Sequence, residues 1–212
     1  MAFSIHALMQ VNAAKSAPAR VGTAHAKAPR LEARVSGPRI WLTPSQKKEA
    51  LGAGGFVGPV QSLLIVERPM RYGDFIWNDQ GIPSGPTSVR VDLRTQLLSV
   101  FRGGHEIGTS VILYGADTKE TPLGQYPVLW KGKDHRSSLY DAPMPYTLRL
   151  TGDGVAIHGS DVRWGAATHG CIGVPTDFAR RLFSEVSVGE PVVILRSVAT
   201  SERLKANKIF TF

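Results

Sequence analysis

The chain has 212 residues, is 42% hydrophobic and 20% charged, and carries a formal net charge of +8 with a single cysteine. That length suits one globular domain with appendages, and the apolar fraction excludes a wholly disordered chain. One thiol excludes an internal disulfide framework or a cysteine-rich metal cluster, and no stretch approaches the roughly 20 apolar residues of a membrane-spanning helix.

The charge is uneven. Residues 1–40 hold six basic side chains (Lys15, Arg20, Lys27, Arg30, Arg34, Arg39) against Glu32, a net of +5 that leaves +3 for everything downstream. This Ala/Pro/Arg-rich stretch is expected to be a disordered or extended basic tail, or the remnant of an export signal. Phe3 to Met9 make a poor signal core, interrupted by His6, although Ala24-His25-Ala26 reads as a cleavage site. From Ile40 the character changes. Thr43 and Pro44 open a short helix ending near Leu51, inside a lead-in over residues 41–87.

Strand-like runs then follow one another. Leu63 to Val66 is short and apolar; Ser88 to Arg94 alternates strictly, and Leu97 to Phe101 follows after Thr95-Gln96, so the pair reads as a hairpin. Ile107–Leu113, Gln125–Lys131, Tyr146–Leu150, Gly154–Ile157 and Pro191–Leu195 complete the set, with the turn spacing of a sandwich or barrel. One amphipathic helix opens at Pro175-Thr176-Asp177, with Phe178, Leu182, Phe183 and Val186 on one face. The predicted fold is mostly β with one packed helix after the cysteine. Nearly balanced charge downstream of residue 40, and no aromatic–basic stripe, argue against a nucleic-acid partner.

Chemistry concentrates around that cysteine. Ile157-His158-Gly159-Ser160 is followed, after a short spacer, by Thr168-His169-Gly170-Cys171-Ile172-Gly173. A free thiol is only about 3% thiolate at neutral pH, so a nucleophilic Cys171 needs a nearby base. His158, ending a strand, is the better partner; His169, two residues from Cys171, falls on the other side of an extended backbone and suits an orienting or oxyanion role. Two other readings stay open on these residues alone. One makes Cys171 a small buried hydrophobe beside Ile172 and Val174; the other makes His158, His169 and Cys171 zinc ligands with Asp153 or Asp161. His105 and His135 read as solvated turn residues.

The His158-Gly159 pair and the Thr168-His169-Gly170-Cys171 run resemble the signature of the L,D-transpeptidases, bacterial enzymes that cross-link peptidoglycan. Val89 to Leu93, Gln96 to Leu98 and the Thr121-Pro122-Leu123-Gly124 turn extend the resemblance, which covers about residues 88–196. It implies a β-sandwich-like catalytic domain over residues 88–198, followed by a C-terminal extension at 199–212. It also implies Cys171 as thiol nucleophile and His158 as proton donor and acceptor. The Gly170 and Cys171 backbone N–H groups and His169 would stabilise the oxyanion, and the Thr168 hydroxyl would steady the loop. Peptidoglycan stem peptides would be the partner, no metal or other cofactor would be needed, and the enzyme would work in the periplasm or cell envelope. The alternatives are an L,D-carboxypeptidase using the same site, or a non-catalytic cell-wall-binding protein.

Two departures from the family pattern stand out. The family usually has Arg or Asn two residues after the cysteine, where this chain has Gly173, and the spacer before Thr168 is short. Arg163 and Arg149 are the candidates to supply a missing carboxylate contact. Tyr146 and Trp164 are candidates to wall the cleft, with Ser138 and Tyr140 as possible hydrogen-bonding groups.

Overall fold

The computed structural model describes residues 38–197 except 53, 116–118 and 138–140. Residues 1–37 of the expected basic tail, the C-terminal extension, Ser138 and Tyr140 lie outside the described residues. The last residues of that expected tail are not tail, because Arg39 and Ile40 belong to a strand and Arg39 is buried. In chain order the elements are β1 (Arg39–Trp41), α1 (Pro44–Gly52), β2 (Ser62–Leu64), β3 (Phe75–Trp77), β4 (Thr87–Asp92), β5 (Leu97–Arg102) and β6 (His105–Val111). They continue with β7 (Gly124–Pro127), β8 (Trp130–Arg136), β9 (Pro143–Arg149), β10 (Ala156–Ser160), β11 (Ile172–Pro175), α2 (Thr176–Glu185) and β12 (Pro191–Leu195). Mostly β with one helix after the cysteine is therefore the architecture, as expected.

Two sheets share one core. The larger runs β1-β2-β6-β5-β4-β12-β7, with β3 also pairing β6; the smaller runs β11-β10-β9-β8. Val89, Val91, Leu98, Val100, Ile107, Val192 and Ile194 come from the first, and Leu148, Ile157, Ile172 and Val174 from the second. Alternate residues of each strand point inward, so these apolar sets interdigitate. Helix α2 joins the same core through Phe178, Ala179 and Leu182. Phe178 is fully buried, edge-on to Phe75 and Trp77 at 5.7 and 5.5 Å.

The β4–β5 hairpin forms as read, pairing Thr87 with Arg102 through Asp92 with Leu97. Strict alternation usually marks one wet face. Here the polar face is covered: Arg90 and Asp92 form an ion pair at 3.1 Å with side chains 8% and 0% exposed, and Phe56 stacks on the Arg90 guanidinium. The cover is the lead-in itself. β1 and β2 add to the sheet edge, and α1 starts with a reciprocal cap in which the Thr43 N–H donates to Gln46 Oε1 (2.9 Å) while the Gln46 N–H reaches the Thr43 hydroxyl (3.4 Å).

Three sequence expectations change. Gln125–Lys131 is not one strand: Pro127, without an N–H, ends β7, buried Val128 crosses the core, and β8 begins in the other sheet. Ile172–Pro175 and two lead-in segments, Arg39–Trp41 and Phe75–Trp77, are strands that the sequence did not announce. His105 is no solvated tip: it is buried, its Nδ1 lies 2.9 Å from the Ser62 hydroxyl, and its ring meets Trp41 edge-on.

Candidate active site

Parallel pairing of β10 with β11 sets His158 opposite Gly173, and Cys171 is the last residue before β11. The approach to Cys171 is pinned from three sides. Leu113 and Gly173 exchange two backbone hydrogen bonds (2.8 and 2.9 Å), and the Thr168 N–H donates to Tyr114 O at 3.2 Å. The Thr168 hydroxyl donates to the Cys171 carbonyl at 2.5 Å. The Thr121 hydroxyl accepts from the Gly115 N–H (2.9 Å) and donates to the Gly170 carbonyl (3.1 Å), which gives the Thr-Pro-x-Gly turn a definite task. Gly170 adopts φ +95°, a conformation that a side chain strains. A Cβ on Gly115 would lie 2.6 Å from the Gly170 nitrogen, so the two backbones approach this closely only because residue 115 is glycine.

Cys171 and His158 open into one cleft of about 440 Å³. The His158 Nδ1 lies 2.9 Å from the Gly159 carbonyl oxygen. A carbonyl only accepts, so Nδ1 carries the proton and Nε2 of the neutral ring keeps a lone pair. Burial lowers the His158 pKa, against the raising effect of that Gly159 bond. Burial also pushes the Cys171 thiol up, offset by the Ala156 N–H and by Lys119, while Asp153 adds to the rise. The thiol donates to the Gly154 carbonyl at 3.7 Å. The resting site thus holds a neutral thiol and a neutral imidazole, and the thiolate, once formed, finds a waiting N–H donor.

The other predicted residues divide. Thr168, His169 and Arg149 line the cleft beside Cys171 and His158, and Gly170 forms its backbone support. Arg149 is already engaged, donating to the carbonyls of Thr151 (3.1 Å) and Gly152 (2.7 Å). Tyr146, Arg163 and Trp164 are not among the cleft-lining residues. Tyr146 has φ +56°, is skipped in an otherwise unshifted β8–β9 register, and packs on Phe183 at 5.8 Å. Arg163 faces Asp161 at 3.4 Å, and Trp164 is 84% exposed beside Tyr72. Among the described residues no group of three or more His, Cys, Asp or Glu side chains is gathered to hold a metal ion.

Among the lining residues that sequence reasoning missed are Lys119, Asp153 as a cleft group rather than a metal ligand, and Trp130 with His135 on β8. His135 is half-buried and edge-on to Trp130 at 5.2 Å, not a solvated turn residue. The one available signal was the position of Lys119 two residues before the Thr-Pro-x-Gly turn. At Gly173, a Cβ would lie 3.0 Å from Ser160 Cβ and 3.4 Å from Leu113 Cβ, so the departure from Arg or Asn is matched by tight strand packing.

The profile of the YkuD family, the L,D-transpeptidase catalytic domain, matches residues 86–194. That stretch is half of the chain, and the chain belongs to this family. A comparison with curated proteins finds no match. Among solved structures, an L,D-transpeptidase from Stackebrandtia nassauensis aligns with 23% identity and a TM-score of 0.48, over 53% of this chain and 56% of its own. L,D-transpeptidase 1 of Mycobacterium tuberculosis aligns with 23% identity and a TM-score of 0.47, over 52% and 62%. An Enterococcus faecium L,D-transpeptidase aligns with 27% identity and a TM-score of 0.46, over 54% and 50%. In each case the match spans less than two thirds of the solved chain. No helix among the described residues is long and apolar enough to cross a membrane.

Proposed function

We propose that this chain is a cysteine-dependent L,D-transpeptidase acting on peptidoglycan stem peptides outside the cytoplasmic membrane, with residues 88–198 as its catalytic region. The observation that carries the reading is the opening of Cys171 and His158 into one cleft, with Nδ1 of the imidazole committed to Gly159. Nε2 of His158 takes the thiol proton as Cys171 Sγ attacks the carbonyl that follows the third residue of a stem tetrapeptide. The Gly170 and Cys171 N–H groups and His169 stabilise the oxyanion; one such donor is typically worth ~10²–10³ in rate. The tetrahedral adduct collapses to a thioester as the leaving D-alanine amine takes the proton from His158. An acceptor amine then attacks the thioester, gives up a proton to His158, and returns the thiol.

Product mass spectrometry on a disaccharide-tetrapeptide tests this, with and without a second stem as acceptor. A cross-linked dimer that vanishes in Cys171→Ala is the expected result. Release of D-alanine with water as the only acceptor would make the protein an L,D-carboxypeptidase. Binding without turnover, and no acylation of Cys171 by a carbapenem, would make it a cell-wall-binding protein.

A further inference from the structure

The cleft holds a cation whose place the sequence pattern does not explain. Lys119 leads into the Thr-Pro-x-Gly turn, and its aliphatic stem lies across Gly170, where a Cβ would meet Lys119 Cγ, Cδ and Cε at 3.2 to 3.5 Å. Its ammonium reaches Asp153 Oδ2 at 3.3 Å, with side chains 42% and 65% exposed. Asp153 Oδ1 accepts from the Thr151 hydroxyl, so the carboxylate belongs to the loop that also supplies the Gly154 carbonyl to Cys171. Exposed pairs of this kind contribute little to folding and exchange partners readily.

The other cations are committed or absent. Gly173 offers no side chain, Arg149 is spent on Thr151 and Gly152, and Arg163 lies away from the cleft against Asp161. We infer that Lys119 and Asp153 form an anion-exchange subsite at the rim of the cleft, in which a substrate carboxylate displaces Asp153 from the Lys119 ammonium. Resting on the transpeptidase reading, this selects stems whose third residue carries a side-chain carboxylate, as diaminopimelate does, and disfavours a peptide amidated there. The opposite influences of Lys119 and Asp153 on Cys171 accord with both charges being felt at the sulfur.

Cys171 is the chain's only cysteine, so its alkylation reads the subsite without background and without substrate. Iodoacetate and iodoacetamide each form a Cys171 S–C bond with loss of iodide and of the thiol proton, and differ only in carrying a carboxylate or an amide. Their rate ratio on the full chain cancels thiol ionisation. Lys119→Ala should lower the iodoacetate/iodoacetamide ratio roughly three- to tenfold at low salt, with the difference shrinking at high salt. Lys119→Arg should retain the ratio and Asp153→Asn should raise it. An unchanged ratio in Lys119→Ala, or an equal fall with both reagents, overturns the subsite. With stem tetrapeptides, Lys119→Ala should raise KM for the free acid severalfold more than KM for the amide, and an equal rise for both would overturn the subsite. Absence of turnover by the wild-type protein would defeat the transpeptidase reading, while the alkylation ratio would still decide the role of Lys119.

Discussion

The hydroxyl of Thr121 donates to the carbonyl oxygen of Gly170 at 3.1 Å, across 49 positions of sequence. Through it, the turn before β7 holds the backbone beside Cys171, and the same oxygen accepts the Gly115 N–H. Thr121→Val keeps the shape and removes both bonds, leaving two backbone groups without this partner. A stability loss of about 1–3 kcal/mol is expected, together with slower acylation of Cys171. Chemical denaturation and carbapenem acylation rates measure the two effects. Acylation at the wild-type rate would show that the loop holds its shape without Thr121.

Burial holds the Cys171 proton more tightly than water would. The rate of iodoacetamide alkylation should therefore rise with pH through a midpoint above that of an exposed cysteine. Because Asp153 adds to the rise, Asp153→Asn should move the midpoint down. A midpoint at or below the exposed value would mean that the resting site is a thiolate–imidazolium pair.

Gly173→Arg would restore the residue type usual for the family. Strand packing predicts a cost: a Cβ there approaches Ser160 Cβ to 3.0 Å. Destabilisation of about 1–3 kcal/mol is expected, with partial recovery when Ser160→Gly is added. Thermal unfolding of the single and double variants reads the coupling, and additive losses would place the strain elsewhere.

Glu106 is fully buried on β6, and burial pushes its pKa from 4.5 to about 7, against the lowering effects of Ser99, the Leu64 N–H, Arg39 and Arg90. The folded protein keeps this proton at pH values where the unfolded chain has lost it. Stability should accordingly fall as pH rises from about 4.5 to about 7. His105, on the same strand, has its pKa lowered by burial and by Arg39 and Lys47, which gives stability lost below its ordinary value of 6.5. Glu106→Gln should remove the carboxylate's part of the profile, roughly 1–3 kcal/mol between pH 4.5 and 7.5. Urea titrations across that range check it; an unchanged slope would assign the pH dependence to other groups.

How far the sequence could be read depended on distance along the chain. His158, Thr168, His169 and Cys171 fall within fourteen positions, and a parallel strand pair joined by a short spacer brings such neighbours together with little loop-closure cost. The hairpin at residues 87–102 was legible because alternation and a local turn specify it. Lys119, Trp130 and His135 reach the same cleft only through long-range pairing of β8 with β9 and the docking of the Thr121 turn, which no local pattern records. Tyr146, read as a candidate cleft wall, shows another limit: its positive φ is invisible in the sequence, and its ring packs on Phe183 instead.

The family's stretch begins at residue 86, but the fold does not. Arg39 on β1 donates to the carbonyls of Glu106 and Asn78, Leu64 on β2 donates its N–H to the Glu106 carboxylate at 2.9 Å, and Phe75 to Trp77 pair with β6. Cutting the chain at residue 86 would open a hydrogen-bonding sheet edge and wet a carboxylate now held in the dark of the interior. The inherited catalytic segment and the cooperative folding unit are thus two different lengths of polypeptide, and screening for inhibitors calls for the longer one.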